Sequence, residues 1–399
     1  MSAALTPAIV VRCQSAKAAN VLCVSYNQQH PNVTPRVRLN MRDSEVLVAG
    51  NAIDRERWRG ICQNLPNSDV YYLPEYALIY ERNGDGVARC FVHKSDHGVV
   101  LYPFLLRPID DSALPATIGR GWYDTSTPYG YGGPLVVPRD LPGSTQLVQG
   151  FLAAFHSYCA ETKVVSEFAR LHPLLTNQQY LPGEDTVLHH ETVFLNLHRS
   201  EEKLWTDVRK GHRSSIKKAE RSHVKVEIED SLDSLRTFFD LYAETMRRQG
   251  ASAWYFLSPS FFDDTLRLLS DHAFLFVARH EGAVVSAAIF MQYNNYAQYH
   301  FAASATDSLH LCANHLLIWE AARWARGRGA NYLHLGGGVS PHDALFTFKS
   351  GFSSLRANFY TYRKIHDPTC YERLVYEESS LRTRNGINLK EGFFPQYRA

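Results

Sequence analysis

Two stretches of the chain share the same order of β-favouring and polar residues. Residues 89–109 and residues 275–293 each contain a β-rich run, a polar turn with a glycine, and a second β-rich run. This pattern is typical of an antiparallel hairpin. Because the two stretches lie roughly 190 residues apart, they indicate a duplicated domain rather than a short-period repeat.

The second hairpin is followed by further periodic segments. They predict a third strand at 296–302, an amphipathic helix at 313–328, a strand at 332–335, a short helix ending near Phe348 and a strand pair at 358–365. The order of helix, hairpin, strand, helix, strand, helix and strand predicts an α+β fold with a mixed, mostly antiparallel sheet flanked by helices.

The first hairpin has comparable surroundings. The pattern predicts helices within residues 58–80, a helix at 146–159 and a strand at 164–171, whereas residues 119–134 are too rich in Gly, Pro and Tyr for regular structure. Beyond residue 366 the chain has an irregular pattern, and we expect it to fold back on the first domain.

These segments divide the 399 residues into four parts. We predict an N-terminal extension at 1–45, a first domain at 46–195, a second at 196–366 and a C-terminal tail at 367–399. The extension lacks Asp and Glu through residue 42, which resembles a transit peptide, but its pattern favours a variable extension.

Composition excludes several classes of protein. A net charge of +2 argues against a chain coated with basic charge, such as a general DNA binder, but allows a local basic patch. The seven cysteines show no CxxC spacing, so neither a zinc site nor a disulfide framework is predicted, and a cytoplasmic location is the simplest expectation. No apolar run reaches the roughly 18 residues that a membrane span needs.

The most basic stretch of the chain is residues 209–225. On a helix, Arg213, Lys217 and Arg221 form one stripe, with Lys218 beside it. Such a stripe is either an ordinary solvated face or a surface that contacts the phosphates of an RNA or of a nucleotide-linked substrate.

The segment 331–352 combines a strand, three consecutive glycines and a lysine between aromatic residues. Gly336–Gly338 allow a tight turn or a close approach of the backbone to a ligand. Lys349 follows Phe348 and is either a cation at the edge of an apolar pocket or a surface lysine with a buried stem.

Other polar and aromatic residues are candidates for substrate contacts. Arg248 and Tyr255 follow an amphipathic helix, where a guanidinium could bind phosphate or carboxylate, although a cation there also complements the helix dipole. Asp124 lies in the Gly/Pro/Tyr-rich loop and could orient an amine or cap a turn. The other candidates in this group are Tyr129, Tyr131, Tyr299 and Phe348.

Motifs of several enzyme classes are absent. The chain has no GxSxG, GxxxxGK[ST] or HExxH motif and no GxGxxG after a strand. Serine hydrolase, P-loop, zincin and dehydrogenase interpretations are therefore unsupported.

Four motifs together resemble the Fem-type aminoacyltransferases and their GNAT-like relatives. They are WTDVRKGHRSSIKKAER, MRRQGASAWYF, LHLGGGVSPHDALFTFKSGF and STPYGYGGP, and the resemblance covers residues 50–370. It implies tandem GNAT-like domains without the helical-hairpin arm of some members. It also implies transfer of an amino acid from aminoacyl-tRNA to an amine, with no bound cofactor.

The resemblance implies roles for individual residues. Lys349 matches the family lysine that stabilises the reaction centre, and Arg248 and Tyr255 resemble residues that contact the acceptor. The family often has an Asp shortly after a Gly-Pro in the first domain, but here Gly133-Pro134 is followed by Leu-Val-Val. This departure weakens the case for a standard muropeptide acceptor, so a peptidoglycan precursor and a peptide-like natural product both remain open.

The main alternative is an acyl-CoA-dependent N-acyltransferase on the same fold. Such enzymes bind the CoA pyrophosphate with a Gly-rich loop at a helix N-terminus. The matching segment, residues 303–315, contains no glycine, which favours the tRNA ester. A non-enzymatic binding module is a further alternative, but Lys349 in its aromatic setting argues against it.

Overall fold

The computed structural model describes residues 43–109, 121–384 and 392–399. The predicted extension, residues 1–45, therefore lies almost entirely outside the described residues. Within them, residues 43–399 belong to one compact unit.

The described strands pair into one sheet, and helices flank it. The strands are β1 (Ser44–Val48), β2 (Val87–Ser95), β3 (Gly98–Pro108), β4 (Tyr123–Ser126), β5 (Leu135–Pro138), β6 (Val164–Arg170), β7 (Thr186–Asn196), β8 (Lys225–Glu229), β9 (Ala273–His280), β10 (Ala283–Tyr293), β11 (Tyr296–Ser304), β12 (Tyr332–Gly336) and β13 (Arg356–Ile365). The helices are α1 (Ala52–Gln63), α2 (Pro74–Arg82), α3 (Ser144–Thr162), α4 (Glu201–Asp207), α5 (Lys210–Arg221), α6 (Leu232–Gln249), α7 (Pro259–Leu268), α8 (Ala313–Gly327), α9 (Ala344–Lys349) and α10 (Pro368–Arg384).

The two halves repeat one topology. In the first half, β2, β3 and β4 pair antiparallel, and β4 pairs parallel with β6. In the second half, β9, β10 and β11 pair antiparallel, and β11 pairs parallel with β12. Two helices precede each set, and α3 or α8 joins each parallel pair. This α+β arrangement is the duplicated domain that the two hairpins predict, and it agrees with the tandem GNAT-like fold that the family resemblance implies.

Two strands join the halves. The sheet runs β1-β2-β3-β4-β6-β13-β7-β12-β11-β10-β9-β8, with β5 beside β3. Strand β13 pairs with β6 of the first half and with β7, which in turn pairs with β12 of the second half. The sheet is therefore continuous across the predicted boundary at residue 195, which remains a prediction.

Alternation along the strands builds a core on each face of the sheet. Leu275 and Val277 pack into the core shared with α1, α2, α6 and α7, whereas Phe276 and Ala278 pack with α5 and α8. Helix α3 covers the corresponding face of the first half. Successive strand residues point to opposite faces, so these runs are apolar throughout.

Three details differ from the sequence-based expectations. The Gly/Pro/Tyr-rich loop contains β4, since parallel pairing with β6 overrides its weak strand pattern. The expected strand pair at 358–365 is the single strand β13. The tail, expected to be irregular, contains α10, whose Cys370 and Leu374 pack with Val165 of the first half. No helix among the described residues is long and apolar enough to cross a membrane.

Candidate active site

Lys349 is the central residue of the candidate site. It is the last residue of α9 and is only 8% exposed. Its Nζ donates a hydrogen bond to the backbone carbonyl of Gly337 at 2.7 Å and lies 5.9 Å from the ring centroid of Tyr299. Burial lowers the pKa of Lys349 to about 8, while Asp343 opposes the change. The lysine is therefore mostly charged at neutral pH, without an ion-pair partner among the described residues.

The three glycines bring the strand end close to this lysine. Gly336 has a φ of +75°, and a Cβ there would lie 3.2 Å from the Tyr131 hydroxyl and 3.3 Å from Lys349 Nζ. A Cβ at Gly337 would lie 2.4 Å from His190, and one at Gly338 would lie 2.2 Å from Asp343. Gly337 and Gly338 thus leave no room for a Cβ without movement of their neighbours, and the positive φ of Gly336 disfavours any larger residue there.

Asp343 fixes the turn between the glycines and Lys349. Its Oδ1 accepts the N–H of Phe346 at 2.7 Å, which caps α9, and its Oδ2 accepts the N–H groups of Val339 and Ser340 at 2.7 and 3.0 Å. A side-chain cap of this kind satisfies amides that the helix leaves open. The turn thereby holds Lys349 against the strand end.

Tyrosines of the first half meet the second half at this point. Tyr131 is partly exposed, and its hydroxyl lies beside Gly336 on the same side as Lys349 Nζ, since a Cβ on Gly336 would contact both groups. Burial raises the pKa of Tyr131 to about 12, so its hydroxyl stays neutral and can donate a hydrogen bond. The Tyr129 ring packs against Trp254, with centroids 4.8 Å apart, and edge-on against Tyr255 at 6.0 Å.

Two more predicted residues line the lysine's surroundings. Tyr299 exchanges a hydrogen bond with Asn314 at 3.1–3.2 Å, and burial raises the pKa of Tyr299 to about 12. Phe348 is partly exposed and packs against His212 and His315, with ring centroids 5.6 and 5.0 Å apart. The structure thus gathers Tyr129, Tyr131, Tyr255, Tyr299 and Phe348 around Lys349 or along the contact between the halves.

The basic helix α5 is anchored beside α9. His212 Nε2 lies 2.8 Å from the carbonyl of Phe348, and the N–H of Arg209 donates to the carbonyl of Gly351 at 2.8 Å. Ile216 and Ala219 bury the opposite face of the helix. The exposed cations of α5 therefore begin next to the segment that carries Lys349.

The four predicted cations of α5 are not equivalent. Arg213 is half-buried and donates to the carbonyls of Thr206 and Val208, where it caps the end of α4. This contact contradicts the expectation that Arg213 is a free phosphate ligand. Lys217 is exposed over the Trp205 ring at 5.8 Å, and Lys218 and Arg221 are exposed without an ion pair among the described residues.

Asp124 has a structural role that the sequence did not reveal. It is fully buried, and its carboxylate accepts hydrogen bonds from Arg107 at 2.6 Å, from Tyr397 at 3.1 Å and from Arg398 at 2.5 Å. These contacts fix the C-terminus to the first half. The expectation that Asp124 orients a substrate is therefore wrong, since its carboxylate oxygens are occupied and shielded.

Arg248 is also largely engaged within the protein. Its guanidinium donates to the carbonyl of Ser304 at 3.1 Å and to the hydroxyls of Thr306 and Thr245 at 2.5 and 3.3 Å. These bonds tie α6 to the end of β11. The structure thus supports a positioning role for Arg248 rather than the direct substrate contact expected from the sequence.

Two residues of the site were missed by sequence analysis. Arg170 is half-buried between the rings of Tyr129 and Phe359, at 5.1 and 5.5 Å from their centroids, and its Nε donates to the Gly130 carbonyl at 3.2 Å. His334 is buried and packs edge-on against Tyr131 at 4.8 Å. Arg170 ends β6, which also carries Ser166 and Glu167, and His334 stands between two leucines of β12. Neither pattern alone distinguishes a site residue from a core residue.

The chain resembles known acyltransferases in sequence over part of its length. A family profile described as an acetyltransferase (GNAT) domain matches residues 206–344. A UDP-N-acetylmuramoylpentapeptide-lysine N(6)-alanyltransferase of Weissella viridescens is 29% identical over 172 residues, which are 41% of this chain and 49% of that enzyme. The chain thus matches about half the length of this relative.

The structural comparison covers more of the chain. The crystal structure of FemX matches with a TM-score of 0.63 at 14% sequence identity, over 80% of this chain and 98% of that one. The predicted GNAT-like acyltransferase fold is therefore confirmed. The predicted resemblance to the Fem-type aminoacyltransferases is confirmed in sequence for part of the chain and in fold for most of it.

Proposed function

We propose that this protein is an aminoacyltransferase that moves an amino acid from aminoacyl-tRNA to an amine and forms an amide bond. The observation that carries the proposal is Lys349, a buried cation without a carboxylate partner among the described residues, beside several partly exposed tyrosines. Burying a charge is costly unless it is compensated, so its retention indicates a function. The acceptor is a peptidoglycan precursor or a peptide-like natural product, and the reaction takes place in the cytoplasm.

The donor supplies the free energy in this reaction. An aminoacyl ester is activated, so amide formation needs neither ATP nor a bound cofactor. The protein has to hold ester and amine together, which can contribute about 7–11 kcal/mol towards lowering the barrier. It also has to stabilise the oxyanion that forms when the amine attacks the ester carbonyl.

Lys349 has the properties of an oxyanion ligand. Its ammonium is fixed by the Gly337 carbonyl and keeps two further N–H groups. In a site with little water, such a group stabilises developing negative charge more strongly than it would in bulk water. The Tyr131 hydroxyl, which also lies beside Gly336, can supply a second donor.

The tRNA would lie along α5. Lys217, Lys218 and Arg221 present exposed positive charge, and the N-terminal end of the same helix contacts α9. Phosphate contacts with these side chains would position the tRNA so that its acylated end reaches Lys349. The basic patch on a chain with a net charge of only +2 fits a local RNA contact.

The proposal is tested by an amide-formation assay with purified protein. Two kinds of acyl donor are compared: total tRNA charged with labelled amino acids, and a panel of acyl-CoAs. Each donor is offered peptidoglycan precursors and free peptides as acceptors. We expect product from charged tRNA, and loss of product after RNase treatment. Product that survives RNase and requires a CoA thioester would replace this proposal with the acyl-CoA alternative.

A further inference from the structure

A chain of buried polar side chains joins the two halves beneath the Lys349 site. Asp69 and His172 come from the first half and Gln298 and His334 from the second, and each is at most 1% exposed. Asp69 Oδ2 lies 2.8 Å from His172 Nε2 and 2.5 Å from Gln298 Nε2. Gln298 Oε1 lies 3.0 Å from His334 Nδ1.

Asp69 sets the direction of every hydrogen bond in this chain. A carboxylate only accepts, so His172 Nε2 and the Gln298 amide both donate to it. His172 Nδ1 in turn accepts the N–H groups of Leu174 and Leu175, each at 3.2 Å. The Gln298 oxygen must then face His334, and the proton of the His334 ring resides on Nδ1.

The other ring nitrogen of His334, Nε2, then carries a lone pair and no proton. This nitrogen is buried and has no hydrogen-bond partner among the described residues. An unsatisfied buried acceptor costs about 1–3 kcal/mol, and an apolar residue in the same strand would avoid that cost. Burial, His172 and Lys349 together lower the pKa of His334 well below its usual range, which keeps the ring neutral.

His334 also lies next to the proposed reaction centre. It precedes Gly336 by two residues on β12, and Gly336 is the point approached by both Lys349 Nζ and the Tyr131 hydroxyl. The partly exposed Tyr131 ring packs edge-on against the His334 ring at 4.8 Å. For a substrate amine to reach Nε2, the side chains packed against His334, among them the Tyr131 ring, have to move.

We propose that His334 Nε2 accepts a hydrogen bond from the attacking amine and takes its proton as the amide bond forms, with Gln298 and Asp69 as positioning residues. This proposal rests on the proposed function. The amine nitrogen bonds to the ester carbonyl carbon, and its proton passes to Nε2. The carbon–oxygen bond to the tRNA ribose then breaks, and the proton leaves on that ribose oxygen, so His334 ends neutral.

A weak base is sufficient for this step. The amine nitrogen becomes more acidic once it bonds to the carbonyl carbon, so a ring with a lowered pKa can take its proton as the bond forms. General-base catalysis of this kind typically contributes about 10²–10⁴-fold to the rate. Asp69 and Gln298 stabilise the ring when it carries the second proton, because the Gln298 oxygen accepts from Nδ1 throughout.

The first test needs no substrate. In protein with ¹⁵N-labelled histidine, long-range ¹H–¹⁵N correlation spectra report which ring nitrogen carries the proton, and the spectrum of His334→Asn identifies the His334 signals. We expect a protonated Nδ1 and an unprotonated Nε2. In Gln298→Met, which removes the oxygen that accepts from Nδ1, we expect the two tautomers to mix. A proton on Nε2 in the wild-type protein would overturn the proposal.

The second test is kinetic. His334→Asn keeps a donor to Gln298 in the place of Nδ1 but has no group in the place of Nε2. We expect kcat/KM for amide formation to fall at least 100-fold and the solvent isotope effect to change, with aminoacyl-tRNA affinity and Tm close to those of the wild type. His223→Asn is the control, because His223 is exposed with a φ of +57°, which Asn tolerates.

The outcomes separate the two proposals. If the wild type is active and kcat/KM of His334→Asn lies within threefold of the wild-type value, the role of His334 is overturned and the proposed function stays intact. An unchanged solvent isotope effect in His334→Asn has the same meaning. A wild type that transfers no acyl group to any amine overturns both proposals.

Discussion

Replacing Lys349 with methionine should change activity and stability in opposite directions. Methionine keeps an unbranched apolar side chain of similar length and removes the ammonium group. The charge of Lys349 is expected to stabilise the oxyanion, but the same charge is buried in the folded protein, which lowers the stability of the fold. The variant therefore separates what the charge does for catalysis from what it costs the fold.

The stability change follows from the pKa. Burial lowers the pKa of Lys349 from 10.5 to about 8, which corresponds to about 3 kcal/mol of destabilisation of the charged form. Methionine removes this cost but leaves the Gly337 carbonyl without its donor, which costs about 1–3 kcal/mol. The free energy of unfolding of Lys349→Met should therefore equal that of the wild type or exceed it by up to about 2 kcal/mol at pH 7.

The difference should depend on pH in a defined window. From about pH 8 to 10.5 the folded wild type loses the Lys349 proton before the unfolded chain does. The unfolded state then binds more protons, so wild-type stability rises with pH relative to the variant. Below about pH 8 the cost of the charged form is fully present.

Activity should fall in the same variant. Loss of one oxyanion ligand typically costs about 2.7–4 kcal/mol, or about 10²–10³ in kcat. The assay is amide formation from charged tRNA, with urea unfolding measured on the same samples. Lys225→Met is the control, because Lys225 is exposed on β8. Unchanged turnover in Lys349→Met would refute the catalytic role, and a loss of stability of more than about 2 kcal/mol would refute the account of the buried charge.

Three further predictions concern other parts of the protein. Wild-type kcat/KM, corrected for ester hydrolysis, should fall above about pH 8 as Lys349 loses its proton, and a flat profile to pH 10 would contradict this. The double variant Lys217→Gln/Lys218→Gln should weaken tRNA binding, and the slope of the logarithm of the association constant against the logarithm of salt concentration should become shallower by about 1–2. The control variant Lys225→Gln should leave both unchanged. An unchanged slope in the double variant would exclude α5 as the tRNA surface. Asp124→Asn should lower the free energy of unfolding by about 1–3 kcal/mol, because it removes the charge that pairs with the partly exposed Arg107 and Arg398, while kcat at low temperature stays near wild type; a selective loss of kcat would restore Asp124 to the site.

Local patterns predicted most of the second half correctly. The hairpin at 275–293, the helix beginning at Ala313 and the strand beginning at Tyr332 all appear within two residues of their expected bounds. Period-2 and period-3.6 patterns and turn residues lie within each segment, so they can be recognised without the rest of the chain. The duplicated order of these segments predicted a duplicated α+β domain, and the resemblance of the motifs to a known family implied the tandem GNAT-like fold.

Residues whose partners are distant in sequence were assigned less well. Asp124 looked like a loop residue, but Arg398, which lies 274 residues away, occupies its carboxylate. Arg213 looked like one cation in a stripe, but the end of α4 folds back within its reach. A charged residue can serve a site or the fold, and only the position of its partners decides which.

The sequence by itself determined the elements, their duplication and the choice of Lys349, because each rests on a local pattern or a motif of adjacent residues. Only the tertiary structure decided the surroundings of that lysine. It brought Tyr131 to Gly336, fixed α5 against α9, and aligned Asp69, Gln298 and His334 in one buried chain. Hydrogen-bond direction in such a chain depends on atoms from both halves, so it has no signature along the sequence.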